Sequence, residues 1–217
     1  MSRKALQKKR IMKYFIDASI QIIEKDGFEN VTIRKVAELA GYNSATLYNY
    51  FENLDHLLFY SSMKYLRDYL LKLQNLDMPE NQLDRFFLIW RSFAEEAFAH
   101  PLYFYQIFYK EYDMSFNDAV QQYYAIYPEE LENLSEDLLP MLTETNLYKR
   151  DLEVLSACVE AGFIKEVDLE PMNDMIIMIF QGFLQRVKED QTKTVESNVN
   201  LFLDYLRRIF DAHLIKK

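Results

Sequence analysis

Cysteine is almost missing from this chain: Cys158 is the only one among 217 residues. No internal disulfide and no multi-cysteine metal site can form, and the residue reads as a small buried apolar group within LSACVEAG. Glycine and proline are also scarce, at four and five. That rules out a glycine-rich phosphate loop and argues against disorder. The three histidines, His56, His100 and His213, lie far apart, with no HExxH pair and no GxSxG elbow. Catalysis is therefore not expected, nor is a metal or cofactor. No apolar run reaches the length of a membrane span, and the basic N-terminus lacks the apolar stretch of a signal peptide. The expected location is the cytoplasm, with no membrane partner. Sustained period-two alternation is missing too, so strands are not expected and the fold class is all-α.

Half the residues are apolar, and a chain of this length buries about 70% of its unfolded surface. The net charge of −9 argues against nucleic acid until the chain is divided. Residues 1–56 carry nine Lys/Arg against seven Asp/Glu, or +2; residues 57–217 carry sixteen against twenty-seven, or −11. Six of the basic residues fall between positions 3 and 13, where no acidic residue occurs. A small DNA-facing unit on an acidic body accounts for this asymmetry.

Apolar spacing predicts a first helix from about Lys8 to Lys25, stopped by Gly27. Thr32 can cap a second helix, whose stripe is Ile33, Val36, Ala37 and Ala40. Gly41 allows a tight turn. Asn43 caps a third helix ending near Phe51, and Asn53 caps a long fourth one from Leu54 to about Leu76. Helical patterns follow at roughly 80–100, 102–112, 116–127, 135–143, 147–161, 170–189 and 194–214, punctuated by Pro79, Pro101, Pro128, Pro140 and Pro171. The layout is an N-terminal three-helix unit (1–53) and a larger helical domain (54–217).

Residues 31–57, VTIRKVAELAGYNSATLYNYFENLDHL, have the pattern of a helix–turn–helix. Two helices crossing at close range need a small residue at the turn, and the second must present its first turn to base edges. With Leu47, Tyr50 and Phe51 committed to packing, Ser44, Ala45, Thr46, Tyr48 and Asn49 face outward. Hydroxyls suit phosphate oxygens and Asn suits adenine edges. Helix pairs of this kind also occur in helical proteins that never meet DNA, so the pattern alone leaves both readings open.

The run TIRKVAELAGYNSATLYNYFENLDHLL, with IMKYFIDASIQIIEKDGFENV before it, resembles the N-terminal domain of TetR-family transcriptional regulators. Gly27, Thr32, Ala40-Gly41, Thr46-Leu47-Tyr48, Tyr50-Phe51 and Leu57 carry the resemblance, over about residues 10–60. It implies a helix–turn–helix domain followed by a helical effector-binding and dimerisation domain. It further implies that Thr32 and Arg34 approach the DNA backbone or adjacent bases. Ser44, Ala45, Thr46 and Asn49 would then enter the major groove, and Tyr48 would place its hydroxyl on a phosphate. The chain departs from the family in having Glu52, Leu54 and Asp55 where a phosphate-binding Lys is common. Lys8, Lys9, Arg10 and Lys13 are the expected compensation.

Residues 86–127 hold fifteen of the chain's thirty-three aromatics, interspersed with Glu95, Glu96, Glu111, Asp113 and Asp118. Two readings stand: a plain aromatic core, or a pocket for a flat, apolar, aromatic or cationic effector held by ring faces and a carboxylate. The family resemblance favours the pocket. Trp90, Phe93, Tyr105, Phe108, Tyr109, Tyr123 and Tyr124 are the expected lining. The last two helices each carry more apolar surface than one partner covers. An expected homodimer interface therefore comprises Met175, Ile179, Gly182, Phe183, Phe202, Leu206 and Ile209. Together these expectations describe a ligand-responsive regulator, expected to be a repressor, that binds a palindromic operator on double-stranded DNA. A DNA binder without a ligand switch, and an activator, are the alternatives.

Overall fold

The structure is a computed structural model that describes residues 3–110, 116–130, 146–190 and 192–215. Ten α-helices and two short 3-10 turns, with no strand, make up the described residues. The helices are α1 (Arg3–Asp26), α2 (Ile33–Leu39), α3 (Ser44–Leu47), α4 (Leu54–Gln74), α5 (Gln82–Ala99), α6 (Pro101–Phe108), α7 (Phe116–Ile126), α8 (Leu147–Glu160), α9 (Glu166–Glu189) and α10 (Val195–His213). The helix expected over 135–143, with Pro140, and the positions Glu111, Tyr112 and Asp113 lie outside the described residues.

Side-chain caps fix most helix starts. Thr32, Asn43, Asn53, Asn81, Asn146 and Thr194 each accept a backbone N–H from the first turn of the helix that follows. Helix α2 ends in a Schellman motif. Tyr42 N–H donates to Ala37 O at 2.8 Å and Gly41 N–H to Glu38 O at 3.1 Å, which requires the positive φ of 77° that Gly41 adopts.

Several boundaries differ from the sequence expectation. Helix α1 starts at Arg3, not near Lys8, because a basic segment without breakers propagates the helix. Helix α9 starts at Glu166 with Pro171 inside it. The carbonyl that this proline cannot serve belongs to Val167, on the exposed first turn where water reaches it. Helix α3 is also shorter than expected. It is regular only to Leu47, and the chain then tightens, with Asn49 N–H on Thr46 O (3.1 Å) and Tyr50 N–H on Leu47 O (2.9 Å).

Phe15, fully buried, is the centre of the small N-terminal unit, in contact with Tyr42, Tyr50 and Phe51 at ring distances of 5.2–6.2 Å. The body core is a second aromatic cluster in which Phe180 meets Trp90, Phe93, Phe98 and Phe202. Helix α4 joins the two units, packing on α1 at one side and on α5, α6 and α7 at the other.

Candidate DNA interface and effector cavity

The turn between α2 and α3 sets what faces outward. Asn43 Oδ1 accepts both the Thr46 N–H (2.8 Å) and the Thr46 hydroxyl (3.0 Å). The Thr46 hydroxyl proton is thereby used, leaving its lone pairs and methyl for an incoming partner. Leu47 is fully buried, and Phe51 nearly so, while Tyr50 is half-buried against Phe15. Ala45, Tyr48 and Asn49 are exposed, Tyr48 by 56%, and Ser44 and Thr46 are half-buried. Thr32 and Arg34 are exposed at the start of α2.

The basic face of α1 lies beside this surface. Lys4 and Lys8 line one groove together with Asn49 and Tyr50. Arg10 is exposed and Lys9 half-buried. Lys13 is placed differently from the expectation. Its Nζ lies 3.0 Å from Glu129 Oε1 and 4.7 Å from the centre of the Tyr127 ring, so it fastens α1 to the end of α7. A neighbouring carboxylate and ring outcompete a solvated position. At the start of α4, Asp55 is paired with Lys110 at 2.9 Å. His56 Nδ1 accepts the Glu52 N–H at 3.3 Å, and burial lowers the ring's pKa.

In the body, a cavity of about 30 Å³ is lined by Tyr69, Ile89, Trp90, Phe93, Leu147, Arg150, Asp151 and Val154. Asp151 is 4% exposed. Its Oδ1 accepts Trp90 Nε1–H at 2.6 Å, and its Oδ2 has no hydrogen-bond partner among the described residues. Burial pushes this carboxyl up to about 8, with the indole N–H pulling the other way. Burial likewise pushes the Tyr69 phenol up to about 12, opposed by the charge of Arg150. The Arg150 guanidinium lies 5.7 Å from the Phe93 ring centre and 5.5 Å from that of Phe108.

Of the seven rings expected to line a pocket, only Trp90 and Phe93 line this cavity. Tyr123 and Tyr124 pack with Tyr60 and Tyr127 against the DNA-facing unit, and Tyr105 lies under the Lys188 ammonium. Phe108 packs its edge on Phe93, and Tyr109 is half-buried beside Tyr105. Sequence reasoning missed Arg150 and Asp151. A signal was available, because Leu147, Asp151, Val154, Leu155 and Cys158 fall on one helical stripe, and a carboxylate on an apolar stripe must meet something polar.

On α9 the outward stripe is Val167, Met175, Met178 and Gly182, with Met178 66% and Val167 75% exposed. Ile179 is half-buried. Phe202 and Leu206 are fully buried within the protomer, and Phe183 and Ile209 are nearly so. These four hold α9 and α10 to their own body, because the most apolar face of α10 goes to the nearest core. The faces left open are those of Met175, Met178 and Gly182 on α9 and of Leu201 and Tyr205 on α10.

Residues 15–60 match the family model of the bacterial regulatory proteins, tetR family. The chain carries a TetR-family N-terminal domain. No curated protein matches its sequence. Among solved structures, the TetR-family repressor FadR of Thermus thermophilus, in complex with lauroyl-CoA, superposes with a TM-score of 0.56 at 16% identity. That comparison covers 95% of this chain and 96% of the other. A TetR transcription regulator of Haloarcula marismortui gives 0.53 at 16% identity, over 95% and 99% of the two chains. RolR in complex with resorcinol gives 0.51 at 18%, over 98% of both. At these identities the likeness extends the TetR-like helical fold to the body and says nothing of its ligand. No helix among the described residues is long and apolar enough to cross a membrane.

Proposed function

We propose that this protein is a ligand-responsive repressor that binds a palindromic operator as a homodimer and leaves it when a small molecule enters the body. Residues 1–53 would be the DNA-binding unit and residues 54–217 the effector and dimer unit. The observation that carries this reading is the exposed set Ala45, Tyr48 and Asn49 on a capped turn, flanked by the basic start of α1. Ala45, Thr46 and Asn49 take the base edges, Tyr48 a phosphate, and Lys8, Lys9, Arg10, Thr32 and Arg34 the adjoining backbone. A second copy would seat on the open stripe of α9 and α10. Gly182, where an added Cβ meets nothing within 4 Å, gives up about 1 kcal/mol of helix propensity, which a close helix crossing would offset.

Communication runs through the start of α4 and through the side chains that fasten it, and the DNA-binding unit, to α6 and α7. Gln106 Nε2 donates to Asp55 O at 3.0 Å, Lys110 pairs with Asp55, Tyr127 donates to Asp17 at 2.9 Å, and Phe28 packs edge-on against Tyr103. A shift of α6 or α7 would drag the DNA-binding unit and change the spacing of the two recognition turns.

The test is selection of bound duplexes from random DNA, followed by anisotropy titration of the winning sequence. Wild-type protein should select a two-fold symmetric site, and Tyr48→Ala and Asn49→Ala should each lose about tenfold or more in affinity, as the loss of one good contact requires. Failure to select any duplex at low salt overturns the reading. The cavity's size favours a second reading, a DNA binder without a switch, because drug-sized ligands occupy about 300–1,000 Å³. A compound panel that never releases the operator would establish it.

A further inference from the structure

The cavity beneath α5 and α8 is too small for a whole drug-sized molecule but suited to one polar head. At about 30 Å³ it exceeds the ~10–15 Å³ that one water needs, and no aromatic ring fits. Its one unsatisfied carboxylate atom, Asp151 Oδ2, has no hydrogen-bond partner among the described residues, although Asp151 is nearly sequestered from solvent. A buried carboxylate atom in that condition lacks the partner that buried polar groups almost always have. Tyr69, Trp90 and Phe93 form the aromatic part of the wall, beside Ile89, Leu147, Arg150 and Val154, and aromatic ring faces attract positive charge.

We propose that this cavity receives the ammonium head of an organic amine, with Asp151 as counter-ion and the Tyr69, Trp90 and Phe93 rings around it. The proposal rests on the reading of the cavity as the effector site and names the effector's chemical class. The hydrogen bond from Trp90 Nε1 to Oδ1 fixes the carboxylate and leaves Oδ2 to accept from N–H. The body around the site carries −11 over residues 57–217, a field that draws cations toward it and repels anions. Arg150 lines the same cavity, yet its guanidinium is spread over the Phe93 and Phe108 rings. The apolar remainder of the ligand would rest on Ile89, Leu147 and Val154, of which Ile89 and Val154 are half-buried. Because burial keeps the empty site's carboxyl protonated up to about pH 8, binding an amine expels that proton. Affinity for the amine therefore rises as pH is raised through neutrality.

Trp90 is the only tryptophan and donates its N–H to Asp151, so its emission reports directly on the site. The experiment titrates full-length protein with 4-phenylbutylamine, 4-phenylbutanol and 4-phenylbutyrate while following that emission. At neutral pH the amine should bind about tenfold or more tighter than either neutral or anionic analogue, and about tenfold tighter at pH 7 than at pH 6. Asp151→Asn should bring the amine down to the level of the alcohol, and Asp151→Glu should restore part of the preference. Should the Asn variant fail to fold, the pH profile of the wild type decides alone. Tightest binding by the carboxylate, equal binding by all three, no response to any, or a pH-independent amine affinity each overturns the proposal. Operator release is measured separately. An amine that binds at Trp90 without releasing DNA defeats the switch and leaves this assignment intact. Release by a non-cationic compound that perturbs Trp90 defeats this assignment and leaves the switch.

Discussion

Replacing Asp151 with Asn should stabilise the fold increasingly as pH rises. The folded protein holds this carboxyl protonated up to about pH 8, whereas its ordinary value is 3.8. Between those limits folding takes up a proton, so the contribution of Asp151 is most favourable below about pH 4 and is lost as pH rises toward 8. Each pH unit in this window is worth about 1.4 kcal/mol, and the whole interval on the order of 5 kcal/mol. The cause is the burial of a carboxylate whose one hydrogen bond among the described residues is from the indole N–H at 2.6 Å. Asn keeps that acceptor and cannot ionise. The assay is urea unfolding at fixed protein concentration, followed by Trp90 emission at pH 5, 6 and 7. Other titrating groups cancel in the difference between the two proteins. Wild type should lose ground to the variant by about 1.4 kcal/mol per pH unit. Parallel stability curves would refute the reasoning.

Three further outcomes are expected. Asn43→Ala removes the acceptor of two bonds at the start of α3; thermal melting should show a loss of about 1 kcal/mol, and anisotropy a weaker operator complex. Lys8→Gln and Arg10→Gln should weaken binding to all duplexes alike, and each lost phosphate contact should lower the slope of log affinity against log salt by about 0.9; an unchanged slope would remove these residues from the interface. Gly182→Ala introduces a methyl into open space on one protomer and should favour the helix by about 1 kcal/mol, yet weaken a dimer that crosses there. Light scattering against concentration checks it, and an unchanged association constant would place the dimer contact elsewhere.

The helices of the N-terminal unit were legible because their signals are local. Thr32, Asn43 and Asn53 cap the helices that follow them, and Gly41 closes α2, each within four residues of what it serves. The outward residues of α3 followed from elimination, since Leu47 and Phe51 had to be buried. In the body the decisive information is tertiary. The apolar stripe of α10 is plain in the sequence, but which side meets the protomer's own core is not: spacing points Phe202 and Leu206 to an interface, whereas both are buried within the protomer. An aromatic-rich segment likewise does not reveal where its rings leave a gap. Tyr123 and Tyr124 fill the junction with the DNA-facing unit, and the gap forms where α8 contributes Asp151.

Placement of Tyr69 on α4 gives the cavity mechanical leverage under the proposed switch. Tyr69 walls the cavity near one end of the helix, and Leu54 begins the other end directly after Asn53, the cap at the end of the DNA-facing unit. Fifteen helical rises separate them, about 22 Å. A tilt of about 5° at the cavity would move the far end by about 2 Å, comparable to the helix shifts that switch other proteins. Helix α4 cannot move alone, because Asp55 is held by Gln106 and Lys110 of the α6 segment while Asp17 and Lys13 of α1 are held by Tyr127 and Glu129. These fastenings make α1, α4, α6 and the end of α7 move as one body or break. A ligand head that presses on Tyr69 then acts on the orientation of the whole DNA-facing unit, and its effect on DNA is limited by how much more tightly it binds the tilted state.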